Sequence, residues 1–260
     1  MFIALREIRR SIGRFTLLTG AVALLVVLLL FFQAVAGSLT LGLTGGIENN
    51  SADVLVYSDR ARSNPAASFL APGIGETVAQ VDGVASVSVA GRLALSAADE
   101  DVVVIGLGDP AFGGPRQLAD GRWPEVAGEA VASSSGLSTA FELGDVVTAA
   151  GVDLTVVGTA DDASFDVSPT FYVPFADYAA MVEERAGVES GSVIAPVSWV
   201  AVEPADGTDA DALAADITAA VDGTDALARD DAVAALPGVS QITQSFNILY
   251  LLLFIVVTIV

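Results

Sequence analysis

The side chains able to carry chemistry are few and of one kind. Acids number 32 against 11 bases, every base is an arginine, and there is no histidine, cysteine or lysine. Without histidine the usual general base and the commonest metal ligand are missing, and a Ser-His-Asp triad is excluded within this stretch. Without cysteine there are no disulfides and no thiolate metal sites. Carboxylate is what remains. Asp161-Asp162 with Asp166 offers hard oxygens to a cation, although acids grouped in a loop are ordinarily just solvated. Glu48 stands apart as the first acid after a long uncharged run. It is either a solvated end residue or a contact at the outer mouth of a translocation path, and it is the one substrate-path candidate. Gly106-Leu107-Gly108 is part of a dinucleotide fingerprint, but neither a complete G-x-G-x-x-G nor a G-x-x-x-x-G-K-[ST] occurs. It reads as a turn in a loop, so no nucleotide-binding element is expected. Trp123 and Trp199 read as core residues rather than stacking platforms. Asn49-Asn50-Ser51 matches a glycosylation triplet that matters only in a glycosylating host. No catalytic residue, cofactor or metal is expected; a haem or metal would have to depend on Glu, Tyr or Met.

The charge is unevenly spread. The first 37 residues hold four arginines and one acid, while residues 38–260 hold seven arginines and 31 acids, a net of −24. Such a surface repels phosphate, so no nucleic acid is expected as partner. Its simple role is to keep an exposed domain soluble; affinity for cations or basic peptides is the second possibility.

These residues must be positioned by elements, and one element dominates. Thr16 to Leu43 contains no Asp, Glu, Lys or Arg across 28 residues, long enough for a helix to cross a bilayer core. Arg6, Arg9, Arg10 and Arg14 precede it, which predicts a cytoplasmic N-terminus and an outer location for the residues after the span. Residues 1–15 read as an amphipathic elbow helix on the inner face, or as plain topogenic charge. A basic start, an apolar run and Ala34-Val35-Ala36 before Gly37 also fit a secretory signal, but the run is longer than such signals and continues past the cut. At the other end, Phe246 to Val260 is uncharged and reads as the start of a second membrane helix within residues 239–260. The sequence is therefore expected to be a fragment.

Residues 44–238 are expected to form an α+β extracytoplasmic domain inserted between transmembrane α-helices. Strands are predicted at 52–59, 84–95, 102–107, 129–132, 146–149, 152–159, 171–173 and 198–202, with Gly151 turning a hairpin and Asp99-Glu100-Asp101 turning another. Short helices are predicted at 72–81, 175–185, 209–221 and 230–236, and one or two helical turns capped by Ser134 or Ser135. The order is mixed rather than strictly alternating, and about 195 residues suffice for a real core.

Basic elbow, first span, outer domain and returning span resemble the layout of an ABC-transporter permease. FIALREIRRSIGRF, residues 2–15, resembles the opening of the MacB/FtsX-like superfamily, on its HrtB/DevC-like side. GEAVASSSGLSTAFELGDVVT, residues 128–148, is similar to the part of that family's outer core domain where L-G-D leads into a hairpin, and FYVPFADY, residues 171–178, resembles the strand and helix beyond it. The resemblance implies the N-terminal part of a four-span permease, itself not an enzyme, that works as a homodimer in membrane lipid with a separate cytoplasmic ABC ATPase. Its cargo would be haem, lipid, peptide or drug, moved by mechanotransmission, and the small outer domain points to the haem-exporter or DevC-like side. The competing class is a membrane-anchored sensor or binding protein without transport activity.

Overall fold

The computed structural model describes residues 12–97, 100–135, 138–188, 191, 193–237, 244, 246, 248–251 and 254. The chain divides into two compact units, Met1–Ser38 with Ser240–Val260, and Leu39–Val239. The first unit is helical wherever it is described. Helix α1 runs from Ile12 to Glu48, 37 residues without a break. Most of the expected elbow, residues 1–11, lies outside the described residues. Past Leu43 the helix continues to Glu48. Leu17, Leu24, Val27 and Phe31 are each at least 60% exposed, so these apolar side chains lie open. Among the described residues this is the one helix long and apolar enough to cross a membrane. Gln244, Phe246, Ile248–Leu251 and Phe254 are also helical, and Ile248, Leu251 and Phe254 are exposed.

In the second unit the strands are β1 Val54–Ser58, β2 Val84–Ala97, β3 Glu100–Leu107, β4 Asp120–Gly121, β5 Glu129–Ser134, β6 Val146–Ala149, β7 Val152–Asp161, β8 Thr170–Pro174, β9 Trp199–Pro204 and β10 Thr224–Ala228. All ten join one sheet in the order β10-β1-β9-β2-β3-β8-β5-β7-β4, with β6 paired to β7. The β3–β8 and β5–β7 pairs are parallel and the rest antiparallel. The helices are α2 Ile74–Val78, α3 Phe175–Ala186, α4 Ala210–Ala220 and α5 Arg229–Ala235.

The period-two rule explains the layering. Val54, Val56, Val200 and Val202 face α2 and α4, meeting Val78, Leu213 and Ile217. Val102, Val104, Phe171 and Val173 on that same side meet Tyr178 and Met181 of α3. The intervening residues Leu55, Tyr57, Ile105, Leu107, Tyr172 and Trp199 face the opposite side, which loops, α5 and Ile47 of α1 cover. Central strands buried on both faces need near-continuous apolar runs, which is why β3 reads VVVI. Tyr178 lies across the cross-strand pair Gly91 and Gly106, where a Cβ on either glycine would overlap its ring. Gly106-Leu107 is strand, as expected for 102–107, and not part of a turn; its small residue makes room for an aromatic ring.

Two expectations need correction. Ser135 and Ser138–Leu143 are not helical: the Ser135 amide and hydroxyl bond to Ser138 Oγ, a local serine linkage that competes with a helical turn. β4 and β10 are added strands. Thr224–Ala228 has no alternating pattern of its own, and becomes a strand because β1 offers it a partner, with Tyr57 opposite Asp225. The turn residue Asp99 lies outside the described residues.

Candidate functional site: the junction of helix α1 with the sheet

The last turns of α1, Gly42-Leu43-Thr44-Gly45-Gly46-Ile47-Glu48, are where the long helix becomes part of the domain. Glycine in a helix interior costs about 0.5–1 kcal/mol relative to alanine, so three within five residues need a reason. The reason is the loop 162–168. A Cβ on Gly45 would overlap the Asp162 carbonyl oxygen, one on Gly46 would overlap the Phe165 ring, and one on Gly42 would come 3.1 Å from Val167 Cγ2. Backbones in that proximity bond directly. The Gly46 amide donates to the Ser164 carbonyl at 2.9 Å, and the Val167 amide donates to the Gly42 carbonyl at 2.9 Å. Asn49 Nδ2 donates to the Asp162 carbonyl at 2.7 Å.

The loop is in turn fastened to the sheet. The Phe165 amide donates to Thr170 Oγ1 at 2.9 Å and the Ala163 amide to Ser133 Oγ at 3.0 Å. The Tyr172 hydroxyl donates to the Ala163 carbonyl, and burial pushes that phenol's pKa up. Phe165 stacks at 5.7 Å on Trp199. Arg92 of β2, its side chain 10% exposed, forms an ion pair with Asp166. Asp162, Asp166 and Val167 have φ of 51°, 56° and 64°. A β-branched residue in that left-handed region is strained and persists only where its surroundings hold it. In the same segment the Ser164 hydroxyl is buried and has no hydrogen-bond partner among the described residues.

Glu48 is the final residue of α1 and is exposed. The Thr44 hydroxyl lies 3.1 Å from its Oε2. A carboxylate there faces the partial negative charge of the helix C-terminus, which disfavours it. The structure does not bring Asp161, Asp162 and Asp166 together as a cation site: Asp166 turns to Arg92, and among the described residues no group of three acids converges. Trp199 is a core residue at 2% exposure, and Trp123 packs against the same core. Beside the junction lies a cleft of about 790 Å³, lined among others by Leu95, Asp101, Asp166, Glu184 and Arg185.

The sequence profile of the MacB-like periplasmic core domain matches residues 15–220. The chain belongs to that family. The match begins near the start of α1 and ends with α4, so it takes in the whole junction. Residues 15–220 are accordingly a MacB-like periplasmic core domain that begins on an apolar helix. No curated protein matches the sequence. Among solved structures, the extracellular domain of the noncanonic ABC-type transporter YknZ from Gram-positive bacteria is similar at 17% identity and a TM-score of 0.43, over 68% of this chain and 99% of that one. The periplasmic region of MacB from Actinobacillus actinomycetemcomitans is similar at 12% identity and a TM-score of 0.47, over 71% of this chain and 92% of that one.

Residue type and position single out Glu48 and pass over its neighbours. Gly42, Gly45 and Gly46 are visible in the sequence as a small-residue stripe on a helix, which signals close backbone approach. Nothing in the sequence says what approaches. Arg92 carries no signal, since its partner lies 74 residues away.

Proposed function

We propose that the chain is the membrane-spanning permease subunit of an ABC transporter, coupling ATP hydrolysis by a separate cytoplasmic ATPase to export or extraction of a hydrophobic or amphipathic substrate such as haem, lipid, peptide or drug. The observation that supports this reading is the family membership joined to one long apolar helix, Ile12–Glu48. In this reading residues 1–15 lie on the cytoplasmic face, residues 16–43 cross the plasma membrane, residues 44–238 stand outside, and residues 239–260 begin the return. Two copies act together. α1 carries the ATP-driven movement outward, so the protein hydrolyses nothing itself. Glu48, at the outer end of the rod, remains the candidate contact for cargo.

The test is reconstitution of the chain, within its full reading frame, with the neighbouring ATPase in lipid nanodiscs. Turnover is expected to need both proteins and to rise with a compound of one of those cargo classes. ATP hydrolysis by the chain alone, or no association with any ATPase, would overturn the proposal.

A further inference from the structure

We propose that the edge of β2 beyond Ala90 is a strand-addition site for an extended, basic segment of another protein. This goes beyond the transporter reading and does not depend on it, since it rests on the sheet alone. A strand in an antiparallel sheet turns its backbone groups alternately to one neighbour and the other. In β2 the odd residues face β3: the Val89 carbonyl accepts the Gly108 amide at 2.9 Å. The even residues face β9: the Ala90 carbonyl accepts the Ser198 amide at 2.7 Å. β9 pairs with β2 only as far as Ala90, while β2 runs on to Ala97. Arg92, Ala94 and Ser96 therefore turn their backbone groups to an edge that no strand covers.

Two of those groups are held by side chains standing in for a strand. The Arg92 amide donates to Ser198 Oγ at 3.1 Å, and Arg185 Nη1 of α3 donates to the Ala94 carbonyl at 2.6 Å. Among the described residues the Ala94 and Ser96 amides and the Ser96 carbonyl have no partner. Ala94 and Ser96 are exposed and line the cleft of about 790 Å³, as does the β6–β7 turn, Ala150-Gly151. Unpaired edge groups are a template for an extended chain, whose own amides and carbonyls complete the ladder.

The side chains set the chemistry of the occupant. Leu93 and Leu95 point toward α3. Ser96 points the other way, and its hydroxyl donates to Asp101 at 2.9 Å. An added strand alternates in the same manner, so it meets Leu95 on one face and Asp101 on the other. Glu184 of α3 lines the same cleft beside Gly151. Asp166 is already engaged by Arg92. Asp101 and Glu184 thus call for basic side chains, and Leu95 for apolar ones between them. Arg185 is a cationic plug that such a segment replaces. A second copy does not fit the role, because residues 38–260 carry a net of −24 and like charges oppose contact.

The test uses the full chain in nanodiscs, with empty nanodiscs as background, and a fluorescent peptide alternating arginine and valine. Binding is expected to saturate and to weaken as salt is raised. The same peptide with every amide N-methylated keeps its charge and loses its donors, and is expected to bind about tenfold less tightly or worse. Hydrogen exchange at the Ala94 and Ser96 amides is expected to slow when the parent peptide is added. Arg185→Ala frees the Ala94 carbonyl and removes a like charge, so it is expected to tighten binding about threefold. The proposal is overturned if the chain, folded by circular dichroism, does not bind the peptide, or if binding ignores salt. It is equally overturned if the N-methylated peptide binds as well, if protection falls on other segments, or if Arg185→Ala weakens binding. No arm needs an ATPase, so failure of the transporter reading leaves this result intact.

Discussion

Glu129 shows how a single residue makes stability depend on pH. The Arg122 guanidinium, then the Glu125 amide, hold its carboxyl at about 2, below the ordinary 4.5; Arg122 Nη1 donates to Glu129 Oε2 at 2.8 Å. A carboxyl depressed on folding stabilises the folded chain above its unfolded value, and that contribution is lost as pH falls through the folded value. Glu129→Gln should therefore lower the urea midpoint above about pH 4.5, the gap closing toward pH 2. Parallel curves over that window would show that the pair contributes nothing. Burial also lifts the Tyr178 phenol to about 12, while its hydroxyl donates to the Pro196 carbonyl at 2.8 Å. Because its ring fills the space over two glycines, Gly106→Ala should cost about 1–3 kcal/mol by overpacking, read in chemical denaturation. Glu48→Gln relieves a charge at a helix C-terminus and should be neutral or stabilising by about 0.3–1 kcal/mol. If turnover nonetheless falls in the reconstituted transporter, the residue contacts cargo; unchanged turnover would leave it a solvated end group.

At the scale of elements, the same rules that predict helices also say how they end. Asp209 accepts the Ala212 amide at 3.0 Å and caps α4, so Asp209→Ala should lower the melting temperature with a loss of about 1 kcal/mol. The hairpin from β6 to β7 turns through Ala150 and Gly151 at φ of 44° and 77°, the left-handed pair that a two-residue hairpin needs. β10 is a sheet edge, and edges invite unwanted pairing. Here the Thr218 hydroxyl of α4 accepts the Ala226 amide at 2.9 Å, which occupies one donor of the strand. Strong patterns were legible in advance: valine runs gave β1, β3 and β9, and Leu213, Ile217 and Val221 spaced four apart gave α4. Weak local patterns were not. Thr224–Ala228 took its conformation from β1, and the serines after β5 bonded to one another instead of starting a helix.

For the whole molecule, the surplus of acids is a property of the second unit, Leu39–Val239, alone. Asp206 is exposed, and in the proposed topology Asp206→Cys should react with a membrane-impermeant maleimide on intact cells. Labelling only after lysis would reverse the orientation. The same charge makes close approach of two copies unfavourable at low salt and easier as salt screens it. The proposed pairing of permeases should thus tighten between low and physiological ionic strength, measured by light scattering in nanodiscs.

Composition and periodicity were enough to establish the membrane-competent helix, the acidic α+β domain, the lack of histidine and cysteine chemistry and, through the quoted motifs, the family. Those are properties of one segment at a time: hydropathy over a helix length, alternation over a strand, a residue type that is absent. The junction was decided only in three dimensions. Gly45 and Asp162, or Arg92 and Asp166, are neighbours because the sheet order brings distant segments together, and the close fit that holds the α1 register is a relation between backbones rather than a pattern within either one.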